Sequence, residues 1–192
     1  MKIIDTIYGE FSIEEDVLVD LIKTKSVQRL KGIDQAGYSQ GFYKGPKGNR
    51  YDHSVGVMLL IRKFGGSIEE QIAGLIHDVS HTAFSHAVDF ALKSSSGDRQ
   101  DFQDSVFEEF VAKSEIPKIL RKHKHRLEEI LDHKLFPMLE RDLPEICADR
   151  IDYSLRDGVR LGIISRVEGL ELLDALGFAN GYWVFKNYRM AK

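Results

Sequence analysis

The chain has 192 residues, 43% of them hydrophobic and 30% charged, which suits a soluble globular domain with a sizeable core. A net charge of -3 argues against nucleic acid as a partner held by bulk attraction. It does not exclude an anionic small molecule, because a metal ion and a few local cations can reverse the field inside a pocket. Cys147 is the single cysteine, so no intrachain disulfide can form and a reducing compartment is the default. No apolar run reaches the roughly 18 residues of a membrane span, and the residues after Met1 lack a signal-peptide pattern. A cytoplasmic protein with no membrane partner is expected.

Residues 3–13 carry β-formers around Gly9 and predict a short hairpin or extended arm. Over residues 14–30, Val17, Leu18, Leu21, Ile22 and Leu30 fit helical spacing. A glycine-rich loop over residues 37–48 holds Lys44 and Lys47. It lacks the G-x-x-x-x-G-K-[ST] pattern of a phosphate-binding loop and reads as flexible and solvated. Helical spacing resumes around His53 and runs to Phe64, where Gly65-Gly66 stops it. Ser67 with Glu70 forms a capping-box pattern for a helix through Val79. Further helices are expected over residues 84–92, 104–113, 117–131, 145–159 and 167–176. A loop covers residues 94–98, and Asn180-Gly181 predicts a hairpin over residues 178–185. Residues 187–192 read as a helix just starting, hence as a truncated end.

The run Leu75-Ile76-His77-Asp78-Val79-Ser80-His81 joins a His–Asp pair to a second histidine four residues on. On a helix, positions four apart share a face, and Asp78 lies about 100° round from His77, so one ion could touch both. An isolated His–Asp pair is more often a satisfied core histidine beside a carboxylate. Here His53 and Asp149 add a second imidazole and a second carboxylate from apolar surroundings of their own. Such a compact N/O set suits a divalent ion that works on phosphate. Asp149, Tyr153, Arg156 and Asp157 also form a polar stripe at helical spacing, although residues 150–157 alone read equally well as a solvated face.

These residues resemble the H…HD…D signature of the HD-domain metal-dependent phosphohydrolases, most closely the deoxynucleoside triphosphate triphosphohydrolase branch. Arg50-Tyr51-Asp52-His53-Ser54-Val55-Gly56 is similar to that branch's R-[FY]-[ED]-H-S-x-G. The stretch from Ala73 to His86 is similar to A-G-L-x-H-D-[LIV]-[GS]-H-x-[PA]-F-S-H. Asp149-Arg150-Ile151-Asp152-Tyr153-Ser154-Leu155-Arg156-Asp157 is similar to D-[KR]-x-D-Y-x-x-R-D. The resemblance implies an all-α HD-domain helical bundle, to which the residue patterning adds short β-hairpins near both termini. It divides the chain into a β arm with a first helix (1–24), the HD core (25–160), and a C-terminal helix with a hairpin (161–192).

By this resemblance His53, His77, Asp78 and Asp149 would hold one divalent ion: Mn, Fe, Mg, Co, Ni or Zn. His81 and His86 would act as acid/base or phosphate-stabilising groups, with Asp89 orienting His86. Arg50 and Arg150 would contact phosphate, and Tyr153 and Asp157 the sugar. Arg156 reads as structural, paired with Asp152 or Asp157. The branch carries a His-Glu pair between the second and third motifs, and Gln103 stands where that histidine is expected. Glutamine transfers no proton in this pH range, so either His81 and His86 suffice or the substrate differs. The implied substrate is a (deoxy)nucleoside triphosphate. The alternatives are a phosphomonoester, a cyclic nucleotide, or a nucleotide held without catalysis. A homo-oligomer is left open. His123, His125 and His133 sit among charged residues and read as solvated.

Overall fold

One helix organises the molecule because it is buried on every side. In the computed structural model, which describes residues 1–37, 46–84 and 102–186, Val57 to Ile61 are all fully buried. A helix apolar all round belongs in a core. This helix, α3 (Arg50–Lys63), follows an N-terminal hairpin of β1 (Lys2–Asp5) and β2 (Gly9–Ser12), then α1 (Asp16–Ile22) and α2 (Lys25–Gln28). A 3-10 turn, Arg29–Gly32, leads away from α2. Then come α4 (Ile68–Ile76), α5 (Phe102–Lys113), α6 (Ile116–Lys122), α7 (Leu127–Leu131), α8 (Ala148–Arg160) and α9 (Arg166–Ala175). A second antiparallel hairpin, β3 (Leu176–Ala179) with β4 (Tyr182–Phe185), follows. This is the expected helical bundle with a hairpin near each end.

Helix α3 packs on α4 along one side and on α8 along another. Its start is set by Asn49, whose side chain accepts from the Asp52 amide at 2.9 Å, a cap worth about 1 kcal/mol. Its end is set by Gly65, whose φ of +82° reverses the chain while the Gly66 amide donates back to the Ile61 carbonyl. The second hairpin docks through Trp183, whose indole donates to the Met138 carbonyl at 3.0 Å and stacks edge-on against Phe64.

Three expected helices differ in extent. The helix over residues 14–30 is broken at Thr24, which has extended backbone angles and caps α2 by accepting from the Val27 amide. The same hydroxyl donates to the Leu21 carbonyl, so one side chain ends one helix and starts the next. The helix over residues 117–131 is two pieces, α6 and α7, parted where Lys124 takes a positive φ of 64°. The third helix expected through Val79 stops at Ile76. Ser67 does accept from the Glu70 amide, but Glu70 does not complete the box: its buried carboxylate accepts from the Met138 and Leu139 amides at 2.6 and 3.3 Å. The helix expected over residues 84–92, the loop over 94–98 and the ending at 187–192 lie outside the described residues, apart from Phe84.

Candidate metal centre

The elements meeting at α3 bring three donors together. His53 lies in the first turn of α3, His77 just after the end of α4, and Asp149 in the first turn of α8. His53 Nε2 stands 2.8 Å from Asp149 Oδ1 and 3.3 Å from His77 Nε2, and His77 Nε2 stands 3.6 Å from Asp149 Oδ1. For bonds of about 2.1 Å, neighbouring ligands of one ion lie about 3.0 Å apart in an octahedron and about 3.4 Å apart in a tetrahedron. The three separations fall around those edges. The donor set and its spacing therefore fit a divalent ion.

Each imidazole is aimed by its other nitrogen. His77 Nδ1 donates to the Gly74 carbonyl at 2.8 Å, and His53 Nδ1 donates to Asp152 Oδ2 at 2.8 Å. Carbonyls and carboxylates in these positions orient ligand histidines and leave Nε2 for the ion. Asp152 is fully buried and held by Arg156, which donates to it through Nε and Nη2.

Asp78 stands beside this trio, its oxygens 3.6 Å from His77 Nε2 and 3.8 Å from His53 Nε2. It lies outside the group of donors that fall within 4.8 Å of one another. Instead its Oδ2 accepts from Arg50 Nη1 at 2.6 Å, and its Oδ1 lies 3.1 Å from His81 Nε2. The helix expected to carry both His77 and His81 ends before them, at Ile76. The two do not share a helix face, because the backbone after Ile76 tightens into turns, with Val79 donating to Ile76 and His81 to Asp78. Those turns swing His81 onto Asp78.

Burial alone would push His53 down, yet its hydrogen bonds to Asp149 and Asp152 and the charges of Asp152 and Asp78 outweigh burial and hold it up to about 10. Burial alone would raise Asp149, but the hydrogen bonds and charges of His53 and His77 hold it well below the ordinary carboxylate range. Asp78 is also held low, burial being outweighed by His77, Arg50 and His81.

Of the other expected site residues, Arg50 is buried against Asp78. Arg150 donates to the Glu145 carbonyl at 2.6 Å and to Glu140 at 3.1 Å. Tyr153 is exposed on α8, and Asp157 accepts from Arg160 at 3.0 Å. Lys47 is exposed. His86, Asp89 and Lys44 lie outside the described residues, and Gln103 is described only as part of helix α5. Arg156 pairs with Asp152 and with Asp5, not with Asp157. His123 and His125 differ from the solvated reading: each is partly buried on a carboxylate of another helix, Asp20 and Glu69 respectively. His133 stacks edge-on against Phe107. Asp152 is the buried partner of His53 that the residue pattern does not single out, although its place three residues after Asp149 puts it on a nearby face of α8.

The HD domain family model matches residues 50–157, from the start of α3 to Asp157 of α8, and the chain belongs to that family. It is 51% identical over 184 residues to the uncharacterized protein YdhJ of Bacillus subtilis, covering 94% of this chain and 55% of that one. It is 37% identical over 173 residues to the metal-dependent phosphohydrolase cns2 of Cordyceps militaris, covering 90% and 49%. A more distant relative is the deoxynucleoside triphosphate triphosphohydrolase SAMHD1 of Danio rerio, 27% identical over 208 residues, covering 83% and 33%. A crystal structure of a phosphohydrolase from Bacteroides thetaiotaomicron shares the fold, with a TM-score of 0.69 at 21% identity, covering 96% of this chain and 48% of that one. The chain spans about half the length of the first two relatives. Among the described residues no helix is long and apolar enough to cross a membrane.

Proposed function

We propose that this chain is a metal-dependent phosphohydrolase core acting on a phosphate ester or anhydride, and that its substrate is a (deoxy)nucleoside triphosphate. The observation that carries the reading is the convergence of His53 Nε2, His77 Nε2 and Asp149 Oδ1 at ligand-to-ligand spacing, with Asp78 beside them. His53, His77 and Asp149 would hold the ion, which would supply positive charge for phosphate oxygens and acidify water. His81, whose Nε2 lies 3.1 Å from Asp78 Oδ1, would serve as an acid/base group in this reading. His86 and Asp89, five and eight residues further along, complete the acid/base set in this reading. Arg50 donates to Asp78 beside the donors, and a phosphate reaching it would compete with Asp78 for its guanidinium. Arg150 is likewise shared with Glu140. Tyr153 and Asp157 lie on α8 one and two turns beyond Asp149, Tyr153 exposed and Asp157 partly buried, and in this reading they would contact the sugar. The similarity to cns2 supports the metal-dependent reaction, and the more distant similarity to SAMHD1 supports the substrate class.

The test is a screen of nucleoside triphosphates, monophosphates and cyclic nucleotides with each divalent ion in turn, the products being separated by ion chromatography. Inorganic triphosphate with a nucleoside is the expected product, and His77→Ala should abolish it. Orthophosphate from monoesters would move the chain to the phosphomonoesterases, and hydrolysis of cyclic nucleotides to the phosphodiesterases. Tight nucleotide binding with no turnover under any ion would make it a binding module.

A further inference from the structure

Nothing in metal coordination asks for glycine at position 56, one turn after His53 on α3. The packing does. A Cβ there would lie 2.1 Å from Arg156 Nη2 and 2.1 Å from Asp152 Oδ1, closer than any side chain allows. The missing side chain opens a slot in α3 through which the Asp152–Arg156 pair of α8 reaches His53.

The pair continues outward to the N-terminal hairpin. Asp152 Oδ2 accepts from His53 Nδ1 at 2.8 Å and from Arg156 Nε at 3.0 Å, and its Oδ1 accepts from Arg156 Nη2 at 2.9 Å. The same Nη2 donates to Oδ2 of Asp5, the last residue of β1, at 3.0 Å. The other oxygen of Asp5 accepts from the Ile7 and Tyr8 amides at 2.8 Å each, so the carboxylate is fixed by the hairpin's own turn. All three charged residues are buried. Two carboxylates facing one guanidinium leave a net negative charge sealed from water. The N–H of His53 Nδ1 is the donor turned toward it.

We propose that Asp5, Arg156 and Asp152 form a buried relay that positions His53, holding the proton on Nδ1 so that Nε2 faces the ion. Asp5 lies outside the region matched by the family model, so the N-terminal hairpin becomes part of what sets metal affinity. The inference rests on the reading of His53 as a metal ligand and on no particular substrate. Removing such an outer partner typically weakens metal binding by roughly 10–100-fold.

The experiment compares Mn²⁺ binding to wild-type chain, Asp152→Asn and Asp5→Asn by calorimetry, with urea unfolding of each metal-free protein alongside. Asp152→Asn should lose affinity by roughly 10–100-fold. In the Zn²⁺-loaded chain the Nδ1 proton of His53 seen by ¹⁵N–¹H NMR should also move upfield and exchange faster, because the remaining amide oxygen is an uncharged, weaker acceptor. Asp5→Asn keeps an oxygen for the Ile7 and Tyr8 amides but removes the charge, and should weaken Mn²⁺ binding in the same direction by less. If Asp152→Asn does not fold, Asp5→Asn decides the matter. Unchanged Mn²⁺ affinity with an unchanged Nδ1 proton would overturn the relay, even if the variants were less stable. Wild-type chain that binds Mn²⁺ but cleaves no phosphate would overturn the proposed reaction and leave the relay standing.

Discussion

His53 touches Asp152 through one ring nitrogen and Asp149 through the other, so in the metal-free chain it is an imidazolium between two carboxylates. Its pKa stands at about 10, raised above the unfolded histidine value of about 6.5. A raised histidine stabilises the fold in full below its unfolded pKa, and that contribution is lost as pH rises through the folded value. Asp78, Asp149 and Asp152 are held below their ordinary range. Their contribution is whole above about pH 4 and is lost as pH falls through the lowered values. The metal-free chain should therefore melt highest between about pH 4 and 6.5, and its Tm should fall steadily towards pH 10. An ion bound at Nε2, as proposed, would expel its proton, so apparent affinity should rise over that same upper range. Calorimetric melts of chelator-treated protein across this range check the first trend, and a Tm that is flat or rising above pH 6.5 would contradict it.

At the scale of elements, Glu70 shows how α4 is tied to the segment that leads into α8. Its buried carboxylate accepts from the amides of Met138 and Leu139. Glu70→Ala leaves both amides without that acceptor and should cost about 1–3 kcal/mol. Glu70→Gln keeps one oxygen acceptor and should cost less. Urea unfolding of the two variants measures the difference, and equal losses would show that the carboxylate does not hold that segment. Glu70 also marks where sequence patterning stops working. Ser67 and Glu70 have the spacing of a capping box, but the glutamate finds partners nearly 70 residues away, which no local rule anticipates. The Asn180-Gly181 turn was readable because both residues must adopt positive φ, and they do, at 53° and 80°. The end of α3 was readable for the same reason, through Gly65. The breaks at Thr24 and Lys124 carry neither glycine nor proline. Thr24 ends a helix through its hydroxyl, and Lys124 enters the left-handed region without the residue type that announces it.

Across the whole molecule, the three donors come from α3, the end of α4 and the start of α8, and α3 packs against both of the others. His53, His77, Asp78 and Asp149 stand out in the sequence because few side-chain types can hold an ion and because they match the family signature, and the structure brings His53, His77 and Asp149 within ligand spacing while Asp78 stands beside them. The groups that aim them were harder to see. Asp152 meets His53 across 99 residues and Asp5 meets Arg156 across 151, and before folding each is one acidic residue among 30. The matched region ends inside α8, while the hairpin that closes over Arg156 begins at Lys2. The most direct test of the metal centre is anomalous scattering from crystals of the chain grown with Mn²⁺. A single peak within about 2.0–2.3 Å of His53 Nε2, His77 Nε2 and Asp149 Oδ1, absent from His77→Ala, is the expected result. A wild-type map with no peak between these atoms, or with the ion bound elsewhere, would contradict the account.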